Sequence, residues 1–215
     1  MNIKTVCRRI GVALVVGALL PILALAEVTT PQAEETEQAW QELPEMSAQI
    51  FSDVPEDARY AQAVVSLAQM GIITGDENGQ FNPESIITRA EMAAIVCRVM
   101  GVEEEAKDTK ETVFSDVPAT HWAVGYVAKA AQLGIINGYG DGKFGPANPV
   151  TYEQTVKMLV CAWGHEIEAQ AEGGWPDGYM RIATQKGYTQ GISQPSVEAI
   201  NRGTAALLIY QSFEE

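Results

Sequence analysis

Residues 51–101 recur as residues 114–164 at a constant offset of 63 and without a gap. Phe51-Ser52-Asp53-Val54-Pro55 falls on Phe114-Ser115-Asp116-Val117-Pro118, and Gln69-Met70-Gly71-Ile72-Ile73 falls on Gln132-Leu133-Gly134-Ile135-Ile136. Gly75, Gly79, Phe81, Pro83, Thr88 and Gly101 find Gly138, Gly142, Phe144, Pro146, Thr151 and Gly164. A unit of this size has one apolar face and cannot bury it alone, so neighbouring copies must pack together. A third, truncated copy follows at an offset of 53, pairing Trp122 with Trp175, Tyr126 with Tyr179, Gly134 with Gly187 and Gly138 with Gly191. It has no Phe-Ser-Asp-Val opening and no Gly-x-Phe loop, and its last helix resumes from Asn201 at an offset of 50.

Within a copy the pattern predicts two helices. The first runs from about Arg59 to Met70, with Ala61, Val64, Val65 and Ala68 on one face and Gly71 as its stop. A loop with Gly75, Gly79 and Pro83 follows, and a second helix begins after Thr88 with Met92, Ile95, Val96 and Val99 inward. Thr88-Arg89-Ala90-Glu91 reads as a capping box, in which the Thr hydroxyl takes an N–H of the first turn and the Glu reaches back. Thr151-Tyr152-Glu153-Gln154 repeats the box, and Asn201 supplies a third N-cap. No alternating run is long enough for a substantial sheet, so the fold class is all-α.

Around the repeats, residues 1–26 read as a secretory signal peptide: Lys4, Arg8 and Arg9 precede an apolar run from Ile10 to Leu25, with small residues at Ala24 and Ala26. Cleavage after Ala26 leaves a polar leader (27–49), a first repeat (50–101), an acidic linker (102–113), a second repeat (114–164), a linker (165–174) and the degenerate third repeat (175–215). Both linkers read as solvated connections. Three of the 14 basic residues and none of the 28 acidic ones lie in the signal, so the mature chain has 11 against 28, a net charge of −17. That field excludes nucleic acid as a partner; an anionic ligand must be held locally, by Arg groups in a shaped pocket. Cys97 and Cys161 sit in apolar helical patterns and read as buried free thiols, with no metal pair.

These motifs together resemble the S-layer homology (SLH) repeat: Phe-Ser-Asp-Val, then His121-Trp122-Ala123, then Gly140-Asp141-Gly142-Lys143-Phe144-Gly145-Pro146, and the Ile87-Thr88-Arg89-Ala90-Glu91 box. The resemblance implies three repeats in a pseudo-threefold, three-pronged helical assembly at the cell surface. It implies non-covalent binding of a secondary cell-wall polysaccharide, often pyruvylated, in grooves between prongs. The ligand-facing Arg of the family carries over onto Arg89 and Arg202. An Arg in a helix first turn is mildly unfavourable unless an anion joins it, and with the free N–H groups there it forms a site for a carboxylate; the alternative is a solvated side chain on a capped helix. The second copy carries Tyr152 instead, which leaves its groove without the charged fork. Trp122 and Trp175 either line the sugar site or pack between prongs. Asp53 and Asp116 either bond sugar hydroxyls or cap the turn before Pro55 and Pro118, and Gly75 and Gly138 serve loop shape or close ligand approach.

An enzyme is not expected. His121 and His165 lie in a repeat loop and a linker, with no nucleophile, base and orienting group around them. Calcium binding at Asp76-Glu77-Asn78-Gly79 fails because position twelve from Asp76 is Ile87 and not Glu. The reading calls for no cofactor and no metal, and for no membrane contact after signal cleavage. The rival reading is a scaffold for envelope protein–protein interaction that has lost polymer binding.

Overall fold

The computed structural model describes residues 50–213; the signal peptide and the leader lie outside the described residues. Eight helices are present among them: α1 (Ala61–Gln69), α2 (Arg89–Val99), α3 (Glu103–Asp108), α4 (Val124–Gln132), α5 (Tyr152–Ala162), α6 (Glu166–Ala171), α7 (Asp177–Gln185) and α8 (Arg202–Gln211). β-structure among the described residues is limited to isolated bridges, so the chain is all-α as expected. The buried face of α1 is Ala61, Ala63, Val64 and Leu67; Val65 and Ala68 are only partly covered. On α2, the expected Met92, Ile95, Val96 and Val99 are all buried.

The second helix of each copy packs on the first helix of another copy. α2 packs on α4, α5 on α7, and α8 returns to cover α1. The segments entering α2, α5 and α8 meet in a closed ring of backbone bonds. Ile87 N–H donates to the Ile200 carbonyl (3.1 Å), Ile200 to Val150 (3.1 Å), and Val150 to Ile87 (3.0 Å). All three side chains are fully buried, so these bonds are sheltered from water within the hydrophobic cluster of the described residues.

The segments expected to be solvated linkers are instead partly helical. Their composition misleads because Glu, Ala and Lys are strong helix formers and a single small residue suffices to dock a two-turn helix. α3 buries Ala106 against α4, where Gly125 allows contact: a Cβ there would lie 1.8 Å from the Ala106 carbonyl oxygen. Glu103 accepts from Arg98 (3.0 Å) and from the Tyr126 hydroxyl (2.9 Å). α6 repeats the arrangement with Ala169 against Gly178 and with Tyr179 donating to Glu166 (3.3 Å).

Candidate functional site

The helix first turns do not offer free N–H groups. Arg89 N–H donates to the Asn148 carbonyl (2.9 Å) and Ala90 N–H to Pro146 (3.1 Å), both in the neighbouring copy. Tyr152 and Glu153 N–H donate likewise to Glu198 and Ser196, and Arg202 and Gly203 N–H to Ser85 and Pro83. The next N–H is taken by the N-cap side chain: Glu91 by Thr88, Gln154 by Thr151 and Thr204 by Asn201. The expected anion site at a helix N-terminus is therefore already filled by protein carbonyls.

The box at Thr88 is complete, with Glu91 accepting from Thr88 N–H at 2.8 Å. At Thr151 it is half a box, because Gln154 does not reach back. Its Oε1 accepts from Arg89 Nη1 at 2.9 Å.

Arg89 lines a cleft but is not the solvated side chain of the alternative reading. It is 4% exposed, and its Nε and Nη2 donate to the carbonyls of Phe144 and Asn137, each at 2.9 Å. Its guanidinium lies 4.5 Å from the Phe144 ring centroid and 4.8 Å from that of Tyr139. Arg202 does the same for the first copy, donating to Phe81 (2.8 Å) and Thr74 (2.9 Å) and lying 4.7 Å from the Phe81 ring. Burial pulls both guanidinium groups below their usual value, opposed by Tyr139 and Asp116 around Arg89 and by Glu91, Asp53 and Asp76 around Arg202. An Arg stays cationic regardless, so each contributes a fixed charge beneath the loop it holds.

Each Arg thus serves the loop of the next copy round the ring and not its own. This also moves the consequence of Tyr152. Its side chain is buried and bonds Thr189, so the box position that carries Arg89 and Arg202 elsewhere faces the third helix pair here and not the second loop.

Asp53 and Asp116 are not among the lining residues of the two clefts described below, and their carboxylates bond the loop some 28 residues on. Asp53 accepts from Phe81 and Asn82 N–H (2.8 and 2.6 Å), and Asp116 from Phe144 and Gly145 N–H (both 2.8 Å). They pin the Gly-x-Phe loop from its far side. Gly75 and Gly138 serve packing within that loop: a Cβ on Gly138 would lie 2.5 Å from the Lys143 carbonyl and 2.6 Å from the Phe114 ring. Gly75 has the same relation to Gln80 and Phe51.

What these devices hold open is a pair of matching clefts. The first, about 410 Å³, is lined by the loop Ile73–Asp76, by Glu91 and Arg98 of α2, by Arg202 and by Trp122. The second, about 430 Å³, is lined by Ile136–Tyr139, by Gln154, Lys157 and Met158 of α5, by Arg89 and by Trp175. The Trp rings do not pack between prongs: Trp122 is 60% exposed and Trp175 46% exposed. The corresponding joint of the third copy is only about 70 Å³, with Arg59 donating to the Gly191 carbonyl at 2.7 Å across it. The sequence reading gives Lys157 and Tyr139 no role, and gives Gln154 only a capping one. Lys157 was detectable as a cation where the 63-residue offset places Ala94.

A sequence model of the S-layer homology domain matches residues 50–93 and 113–156. The chain carries two S-layer homology domains. The third helix pair lies outside the matched residues. The chain is 35% identical over 166 residues to a "Cell surface protein" of Thermoanaerobacter kivui, which covers 76% of this chain and 21% of the relative. It is 34% identical over 143 residues to a "Surface layer protein" of Brevibacillus choshinensis (66% and 13%). It is 29% identical over 157 residues to a "Cellulosome-anchoring protein" of Acetivibrio thermocellus (66% and 35%). The chain therefore spans about a third or less of these relatives' lengths. The two SLH domains and these relatives support a cell-surface location. No described helix is long and apolar enough to cross a membrane.

Proposed function

We propose that this chain is a non-catalytic cell-wall-binding unit that holds a secondary cell-wall polysaccharide in two clefts of a three-pronged, pseudo-threefold helical assembly. The observation that carries the reading is the pair of exposed Trp rings at equivalent clefts, each above a loop fixed by an Arg from another copy. An aromatic face suits the C–H side of a pyranose, and the loop beneath it is rigid before a ligand arrives, which keeps the entropic cost of binding low. The volumes fall within the range of about 300–1,000 Å³ usual for small-molecule sites. The surface-layer and cellulosome-anchoring relatives support wall attachment in general. The third joint, bridged by Arg59, is left out of the binding surface.

The test is co-sedimentation of the protein with purified cell-wall sacculi before and after the secondary polymer is stripped. Trp122→Ala and Trp175→Ala are the informative variants, because both rings are exposed and their loss leaves the core intact. Each is expected to weaken pelleting several-fold and the double variant to abolish it, as loss of a stacking platform does. Pelleting that persists after stripping, or in the double variant, would instead favour the reading as a protein-binding scaffold.

A further inference from the structure

We infer that the two clefts differ in ligand, the second taking an acidic sugar and the first a neutral one, and that Lys157 is the residue that sets this selectivity. The inference rests on the wall-polymer reading above.

The clefts share their loop geometry, their Trp and their Arg, and differ in charge. Two cations, Arg98 and Arg202, line the first together with two carboxylates, Asp76 and Glu91. The second is lined by Arg89 and Lys157 with no carboxylate among the described lining residues, because Gln154 stands where Glu91 does and Tyr139 where Asp76 does. A carboxylate entering the first cleft meets two like charges; entering the second it meets none. Discrimination of this kind rests on repulsion in one site as much as on attraction in the other.

Within the second cleft Arg89 is 4% exposed and has three of its five N–H donors turned onto Phe144, Gln154 and Asn137, so it contributes mainly a fixed charge. Lys157 is placed differently. It is half-buried on α5, with Nζ 5.6 Å from the Trp175 ring centroid and 5.5 Å from that of Tyr179. With the Asn137 amide oxygen turned toward it, Nζ donates at 2.8 Å, while the amide nitrogen donates to the Ile136 carbonyl at 3.0 Å. An ammonium has three donors, so two remain for a ligand held beside the Trp175 ring. The first cleft has the methyl group of Ala94 at this position, and its Arg98 is paired with Glu103 at 3.0 Å.

The probes are a methyl pyranoside carrying a pyruvyl ketal carboxylate and its methyl ester, which differ by one charge. Binding is followed in ¹⁵N-labelled protein through the indole N–H resonances of Trp122 and Trp175, assigned with Trp→Phe variants, so that each cleft reports separately. The acid is expected to move Trp175 at a concentration about tenfold lower than Trp122, and the ester to show no such preference. Lys157→Met, which keeps the apolar stem, is expected to weaken acid binding at Trp175 about tenfold and leave the ester within about twofold; Lys157→Arg restores most of the loss. Equal affinity of acid and ester at Trp175, an equal effect of Lys157→Met on both, or no response of either indole would each overturn the inference. Sacculus pelleting of the same wild-type sample separates the two readings. Intact pelleting without acid preference at Trp175 removes the selectivity alone, whereas failure of the wild type to pellet removes wall binding itself.

Discussion

Arg89→Ala distinguishes a structural strut from a ligand-binding fork. The truncation removes three hydrogen bonds and a guanidinium stacked on Phe144 and Tyr139, from a side chain that is 4% exposed. The Phe144 residue is buried, so its carbonyl is left without a donor at about 1–2 kcal/mol; the Asn137 backbone is exposed and its carbonyl can turn to water. Loss of the Gln154 bond and of the ring contacts adds about 1 kcal/mol more. The sum is about 2–3 kcal/mol, which at a urea slope of about 2 kcal/mol per molar lowers the unfolding midpoint by about 1–1.5 M. Arg89→Lys, keeping the charge but one bond at most, is expected to fall about halfway. The assay is equilibrium urea unfolding followed by far-UV circular dichroism, with sacculus pelleting on the same samples. An Arg89→Ala protein that unfolds within about 0.3 M of the wild type and yet no longer pellets would refute the strut assignment and return Arg89 to the ligand.

Gly125→Ala would drive a Cβ to 1.8 Å from the Ala106 carbonyl, so a loss of about 3 kcal/mol is expected together with new proteolytic cutting between residues 102 and 113 as α3 lifts from α4. Burial of Asp116 opposes its ionisation, but the Phe144 and Gly145 N–H groups outweigh it and hold the carboxyl below its usual value. The contribution of a depressed carboxyl is present above the unfolded value of about 3.9 and lost as pH falls through the folded one, so the stability gap between wild type and Asp116→Asn is expected to be constant near neutrality and to narrow below about pH 4. The Cys97 thiol, fully buried and pushed up to about 12, should take up iodoacetamide in the native protein far more slowly than in urea, as mass spectrometry would show. A chain ending at residue 164 loses Arg202, Trp175 and the α8 cover of α1, and is expected to lose cooperative unfolding and near-UV signal; a sharp two-state transition in that fragment would contradict the ring.

What could be read from the chain beforehand is what depends on neighbours along it. The Thr88 cap, the Gly71 stop and the inward face of α2 are local, set by side chains three or four residues apart, and all appear in the structure. Asp53 acts 28 residues away on Phe81, and Arg89 acts 55 residues away on Phe144, so their partners depend on which loop the ring brings alongside. A repeat alignment shows which residues correspond between copies but not which copy a side chain faces. For that reason the repeat pattern points Tyr152 at the second groove, whereas its side chain meets Thr189. The clefts also differ where the repeats differ, at Ala94 and Lys157, at Glu91 and Gln154, and at Asp76 and Tyr139; a search for agreement passes over those positions.

The offset between copies accounts for a feature that the linear pattern leaves puzzling, namely a third helix pair that lacks the Gly-x-Phe loop but keeps Trp175, Asn201 and Arg202. Those residues do not serve the third joint. Trp175 roofs the second cleft, Arg202 floors the first, and Asn201 caps α8, whose return onto α1 closes the ring. The loop that is missing would have formed a third cleft, and in its place Arg59 bridges to Gly191. A chain built for two clefts needs three second helices and three first helices, because each pair is shared between copies, but only two complete loops. The third helix pair thus completes both clefts from outside the two matched domains: α8 covers α1 and brings Arg202 to the first cleft, and the segment before α7 brings Trp175 to the second.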